Sequence, residues 1–247
     1  MEEKTIKHYS SSQKILLVGE GDFSFSLSLA KAFGSASNMV ATSLDSKGIL
    51  LWKYPRVSIK LMELEELGCT ILHEVDVHTM SEHPLLKTKC FDRIIFNFPH
   101  AGFTYREHKL CQIELHQKLV SGFFKSAKKM ITQNGEIHVT HKNGNPYNKW
   151  EVVELAVDEN LQLVEKVRFR KRDYLGYVNK RGSGNRCDKT FAVGDCSTFK
   201  FSHASQDNCS LIGLEDLFSL VEKFPIGRSI WICTYLHLMY FFLSNYC

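Results

Sequence analysis

The feature that most constrains this chain is a short apolar run, Lys14-Ile15-Leu16-Leu17-Val18, that breaks on Gly19-Glu20-Gly21. It gives way to Phe23, Leu27, Ala30 and Phe33 at helical spacing. A buried strand, a glycine turn and a helix make the opening of an α/β unit, and the same order then repeats. Met39 to Leu44 reads as a strand ending on Asp45, Val57 to Leu67 as a helix stopped by Gly68, and Thr70 to Val75 as a strand ending on Asp76. Phe91 to Phe96 is a hydrophobic strand that runs into Asn97-Phe98-Pro99-His100, where Pro99 must end regular pairing. A long helix over Arg106 to Ile131, a turn at Asn134-Gly135, a strand over Glu136 to His141 and a helix over Trp150 to Asn160 follow. Leu163 to Phe169 and Thr190 to Val193 read as the last strands. Such alternation calls for a mostly parallel central sheet with helices on both faces.

A chain of 247 residues, 44% hydrophobic, can bury one substantial core. The expected division is an N-terminal tail over 1–13, one α/β domain over 14–201 and an atypical C-terminal extension over 202–247. The charged first residues, Met1 to His8, lack the apolar core of a secretory signal. Eight cysteines are scattered without a CxxC pair, which points to reduced thiols rather than a disulfide framework or zinc site. In the extension, 202–210 reads as a loop and Leu211 to Phe224 as an amphipathic helix. Residues 229–247 carry no Lys, Arg, Asp or Glu, yet include His, Thr, Asn, Ser and three tyrosines. That mixture argues against a membrane anchor and for an element packed on the domain or a terminal extension.

In a doubly wound sheet, ligands bind outside the carboxyl ends of the strands, so the chemistry should sit where strands end. Gly19, Glu20, Gly21, Asp22, Phe23 and Ser24 form the first such end, with two glycines that allow a tight turn and close backbone approach. A dinucleotide fingerprint asks for a third glycine where Ser24 stands, which disfavours a nucleotide-dependent oxidoreductase and favours a methionine-tailed nucleoside without pyrophosphate. Asp45 is placed to accept hydrogen bonds from ribose hydroxyls, and Asp76 from an adenine amino group, although a lone Asp after a strand also serves as a cap or turn residue. Asn97, Pro99 and His100 partly match the Asn/Asp-Pro-Pro-aromatic tetrapeptide of methyltransferases that act on planar nitrogens. There Asn97 would orient a ring edge, and His100 would stack on the base or take its proton. The plain alternative is a strand terminator followed by a hydrogen-bonded turn.

The net charge of +4 is modest, but it is unevenly spread. Arg168, Arg170, Lys171, Arg172, Lys180 and Arg181 cluster late in the chain with Phe169, Tyr174 and Tyr177 interleaved. Cations that neutralise phosphates beside rings that stack on bases suit single-stranded or looped RNA; a solvated loop is the bland reading. The histidines at 73, 78, 83, 108, 116, 138 and 141 form no HExxH-type pair, and no metal is expected.

Taken together, Ile15 to Ser26 with its Gly-Glu-Gly-Asp-Phe-Ser-Phe-Ser string, Thr42-Ser43-Leu44-Asp45, Asp92 to Gly102 with Phe-Asn-Phe-Pro-His-Ala-Gly, and Gly135 to Thr140 resemble the large-subunit ribosomal RNA (uridine-N3)-methyltransferase-like domain family. The resemblance runs from about Lys14 to Phe201. It implies a Rossmann-like methyltransferase fold with an antiparallel C-terminal strand, S-adenosylmethionine as cofactor, and ribosomal RNA or a pre-ribosome as partner in the nucleolus, with a monomeric enzyme and the cytoplasm as the alternative location. It carries the cofactor loop to Gly19, Gly21, Asp22 and Phe23, the ribose acid to Asp45, and the substrate tetrapeptide to Asn97, Pro99 and His100. Glu20 stands where many members have Asp. A catalytically inactive RNA-binding protein on the same fold is the non-enzymatic alternative.

Overall fold

The computed structural model describes residues 2–204. The helix expected over Leu211 to Phe224 and the apolar stretch 229–247 lie outside the described residues. Within the expected N-terminal tail, β1 (Thr5–Ile6) and β2 (Tyr9–Ser10) pair as a small antiparallel hairpin. Tyr9 is fully buried, its hydroxyl 3.1 Å from His138 Nδ1. The hairpin is thereby joined to the main sheet.

That sheet has seven strands: β3 (Ile15–Val18), β4 (Met39–Thr42), β5 (Thr70–Leu72), β6 (Phe91–Asn97), β7 (Ile131–Lys142), β8 (Leu161–Arg168) and β9 (Cys196–His203). Their order is β5-β4-β3-β6-β7-β9-β8. The first five run parallel, and β9 lies antiparallel between β7 and β8, giving the Rossmann-like sheet with its antiparallel C-terminal strand. Leu16 pairs in register with both Val40 and Ile94, so the opening apolar run is the centre of the sheet.

A strand's alternating side chains explain the two cores. Ile15 and Leu17 face α1 (Ser24–Phe33), α2 (Lys47–Lys53) and α3 (Val57–Glu66), through Phe25, Leu29, Leu50, Leu61 and Leu64. Leu16 and Val18 face α4 (Leu110–Ala127) and α5 (Val152–Asp158), through Ile113, Val120, Phe124 and Ala156. Buried on both faces, the parallel strands read as unbroken apolar runs.

Several expected boundaries move. Helix α4 spans Leu110–Ala127 rather than Arg106 to Ile131, because Gln112 holds the preceding loop, its Oε1 accepting from Tyr105 N and its Nε2 donating to Gly102 O, both at 2.7 Å. Asn134-Gly135 is not a connection between elements. It lies inside β7, where pairing slips from Phe91↔Ile131 to Arg93↔Glu136, a bulge that absorbs the extra residues. The last strand is not Thr190 to Val193 but β9, which starts beyond Gly194, a residue in the left-handed region (φ 60°). Strands β4 and β5 end at Thr42 and Leu72, so Asp45 and Asp76 sit in loops beyond them. No helix among the described residues is long and apolar enough to cross a membrane.

Candidate active site

Strand order reverses between β3 and β6, and a cavity of about 590 Å³ opens at their carboxyl ends. It is the crevice that a doubly wound sheet reserves for ligands. Gly19, Glu20, Gly21, Asp22 and Ser24 line it, as do Asp45, Asp76, Asn97, His100, Lys180 and Arg181.

Both glycines are needed for shape. A Cβ on Gly19 would lie 2.6 Å from Phe96 Cε2 on a backbone with φ 66°, and one on Gly21 would lie 3.1 Å from the Tyr54 hydroxyl. That hydroxyl is itself buried without a hydrogen-bond partner. Phe23 departs from expectation: its left-handed backbone (φ 58°) turns the ring into the core beside α1, fully buried and away from the cavity.

The acids of the loop close the N-terminus of α1. Asp22 Oδ1 accepts from Ser24 N (3.1 Å) and Ser24 Oγ (2.6 Å), while its other oxygen pairs with Lys60. Glu20 Oε2 accepts from Ser26 N (3.2 Å) and Ser26 Oγ (2.8 Å). Negative charge at a helix start is favourable, yet burial of Glu20 outweighs its hydrogen bonds and pushes its pKa up to about 7. Ser24 Oγ also receives the Val178 N–H at 3.0 Å. The hydroxyl that broke the dinucleotide pattern thus ties the C-terminal loop to the cofactor turn.

Asp45 holds Lys53 Nζ through both oxygens, at 2.7 and 2.8 Å, and Lys53 also donates to Gly182 O at 3.2 Å. Asp76 is exposed and accepts from His78 N (2.9 Å), the turn alternative, while still facing the cavity. Asn97 is the last residue of β6, and both of its amide atoms are buried without a partner among the described residues. Unpaired buried polar groups are costly and call for a ligand or another explanation.

The family described as rRNA (uridine-N3-)-methyltransferase BTM5-like matches residues 16–181. The chain belongs to that family. An uncharacterized protein of Arabidopsis thaliana is 52% identical over 205 residues, covering 82% of this chain and 98% of the relative. The Arabidopsis thaliana heavy metal-associated isoprenylated plant protein 41 is 53% identical over 200 residues, 81% of this chain; the chain spans only 39% of that relative's length. The 25S rRNA (uridine(2634)-N(3))-methyltransferase of Saccharomyces cerevisiae is 25% identical over 227 residues, covering 70% of this chain and 67% of that protein. Among solved structures, NSun6 from Pyrococcus horikoshii superposes with a TM-score of 0.52 at 13% identity, covering 79% of this chain and 49% of that one, a likeness of fold.

The tetrapeptide of this family member is more elaborately held than its sequence suggests. His100 Nδ1 accepts the Gly102 N–H (3.0 Å), which makes Nε2 the protonated nitrogen, and Nε2 lies 2.7 Å from Glu107 Oε1. His116, fully buried, is held similarly on one side only: Nδ1 accepts the Ala101 N–H (3.1 Å), while Nε2 lies 3.1 Å from Gln112 Nε2 and 3.4 Å from Glu107 Oε2. The His100 hydrogen bond, with the His116 imidazole close by, holds the Glu107 carboxyl well below the usual carboxylate range. Ligand atoms of His100, Glu107 and His116 fall within 4.8 Å of one another. A metal-bound imidazole donates its second N–H outward, whereas both rings here accept a backbone N–H on that side. The trio is a hydrogen-bonding hub, and His100 has no lone pair free to take a proton. His108 lies ahead of α4, outside the helix that carries His116. Pro99 is buried and faces a second, smaller cavity rather than the first.

The basic cluster divides. Lys180 and Arg181 line both cavities, but Arg168, Arg170, Lys171 and Arg172 line neither. Lys171 donates to Asn179 Oδ1 at 2.8 Å, and the two exposed charges Arg168 and Asp195 stand 4.0 Å apart. Phe169 and Tyr174 do not stand ready for bases. They are buried and stacked on each other with centroids 5.3 Å apart, because the chain leaving β8 folds them onto Phe25 and Phe98. Tyr177 alone of the three lines the first cavity. Lys53, Tyr54 and Glu107 went unread in the sequence, and His116 was read only as a histidine outside any metal motif.

Proposed function

We propose that the chain binds S-adenosylmethionine in the larger cavity and methylates N3 of a uridine in large-subunit ribosomal RNA. The observation that carries the reading is Asn97, whose two unpartnered amide atoms stand at the end of β6 beside a glycine cradle. The residues present fit that cofactor: Gly19 and Gly21 leave room for close approach, Asp45 and Asp76 offer carboxylates to ribose and adenine, and Tyr54 adds a free hydroxyl. S-adenosylmethionine supplies, when bound, a methyl group already activated on a sulfonium.

The protein's own part is positioning. Uridine N3 lies on the pairing edge, so the base must be unpaired or flipped before reaction. Alignment then supplies most of the acceleration. Glu107, gripping His100 and backed by His116, fixes the turn over which the base would lie, and His100 acts as an orienting group. Lys180 and Arg181 would meet the RNA at the cavity mouth, and Arg168, Arg170, Lys171 and Arg172 would contact phosphates further out. Membership of a family named for rRNA methylation, and a yeast relative named for 25S rRNA, support ribosomal RNA as substrate and the nucleolus as the setting.

Calorimetry with S-adenosylmethionine and with NADPH, followed by transfer of labelled methyl to ribosomal RNA, tests the reading. Binding of S-adenosylmethionine with formation of N3-methyluridine is the expected result; NADPH binding alone would refute it.

A further inference from the structure

We propose that the second cavity, which shares Phe98, His100 and Arg181 with the first, is the pocket that receives the target uracil ring. This rests on the transferase reading above.

At about 180 Å³, the cavity holds roughly six waters' worth of space. That is too little for a nucleoside with a methionine tail and of the right order for one pyrimidine. It lies across the Asn97-to-His100 turn from the glycine cradle, and shared walls connect the two. Phe103, Tyr147 and Phe191 furnish ring faces and edges to stack on a base, while Trp150, also in the wall, is buried and stacked on His116.

The polar groups narrow the choice of base. Lys142 Nζ sits 4.9 Å from the Tyr147 ring and 5.0 Å from the Phe191 ring, with the Tyr147 hydroxyl at 3.4 Å and no carboxylate partner among the described residues. The Arg181 guanidinium lies 4.6 Å from the Phe103 ring, and its Nε is buried without a partner among the described residues. Lys180, by contrast, is neutralised by Asp188. The carboxylate in the wall, Glu107, pairs with His100 through Oε1, and its Oε2 lies 3.4 Å from His116 Nε2. His141 gives its Nε2–H to Tyr147 O at 3.0 Å, which leaves Nδ1 uncommitted.

Two cations without counter-ions suit a ring with two carbonyl oxygens. Uracil presents such a pair on either side of N3; cytosine presents one carbonyl and an amino group, whose donors would face the cations. The same cations favour the ring that has released its N3 proton to solvent, because its negative charge spreads onto both oxygens.

The test uses the full chain and a large-subunit ribosomal RNA fragment substituted with 5-bromouridine. After irradiation, cross-linked peptides are mapped by mass spectrometry in wild type, Lys142→Met and Tyr147→Leu. Neither residue lines the larger cavity, so both variants should bind S-adenosylmethionine within twofold of wild type. Cross-links should fall on the segment 141–150, no residue of which lines the larger cavity, drop at least fivefold in Lys142→Met, and accompany a tenfold or greater fall in methyl-transfer turnover. Cross-links confined elsewhere, or both variants turning over as fast as wild type, would overturn the pocket. Failure of wild type to bind S-adenosylmethionine would sink the transferase reading instead, and the cross-link map would still decide where a uracil ring sits.

Discussion

Replacing Glu20 by Gln should make the protein more stable above neutral pH and leave it unchanged in mild acid. Glu20 is 9% exposed, and its carboxylate accepts only the Ser26 N–H and O–H. Burial penalises the charge more than those bonds reward it, so the pKa rises from 4.5 to about 7. Between those values the folded chain keeps a proton that the unfolded chain has given up. By linkage, this group's contribution to stability falls as pH climbs through that window and is constant above it. The gap is worth about 3 kcal/mol. Gln keeps the size and the acceptor oxygen without the charge, so it should behave like protonated Glu at every pH. Urea titrations of both proteins should coincide near about pH 4 and separate by about 3 kcal/mol near about pH 8. In thermal melts that is roughly 6–12 °C in favour of Glu20→Gln. A difference that is the same at both pH values, or wild type gaining on the variant as pH rises, would show that burial does not govern this carboxylate.

Other substitutions probe the rest of the site. Gly19→Ala should cost about 1–3 kcal/mol in urea titrations, because a Cβ at φ 66° would meet Phe96 at 2.6 Å; a cost near zero would mean the cradle is looser than drawn. Asp45→Asn should weaken S-adenosylmethionine binding at least tenfold by calorimetry, and an unchanged affinity would remove Asp45 from the ribose position. Asn97→Ala should lower turnover while leaving cofactor affinity within a few fold; loss of binding with intact folding would put the substrate face elsewhere. Arg170→Ala combined with Lys171→Ala should flatten the salt dependence of RNA binding by a slope of about 1–2, and an unaltered slope would take the outer basic segment out of the interface.

What could be read in the sequence was written in local chemistry. The glycine cradle and the Asn97-to-His100 turn stand out because glycine and proline dictate backbone shape whatever packs around them. Helix α2 left no such trace: in Lys47–Lys53 only Leu50 is buried, and Ile49, Leu51 and Trp52 are exposed, so no amphipathic period appears. With α2 unseen, the Lys53 partner of Asp45 was unseen too. Strand β9 was displaced for the opposite reason. Its Ser197, Thr198 and Lys200 look solvent-facing, but pairing with β7 and β8 buries them, Lys200 finding Glu165 at 2.7 Å. The rings of Phe169 and Tyr174 were misread because the direction taken by the chain after β8, rather than their alternation with cations, decides whether they face RNA or core.

His100 shows how a motif can locate a residue without giving its role. Its place after β6 follows from Pro99 and the strand, but its chemistry depends on which ring nitrogen carries the proton. That is set by a backbone N–H two residues on and a carboxylate seven residues on. The same loop gives the Ala101 N–H to His116, so one stretch of main chain holds both rings beside Glu107. Losing the Glu107 carboxylate would weaken the acceptor of the His100 N–H, and the turn that carries His100 would lose its reference point. Glu107→Gln should therefore lower turnover in step with His100→Gln, and combining the two should add little, as expected of residues acting as one unit. Fully additive losses in that double-mutant cycle would mean that His100 does its work independently of Glu107.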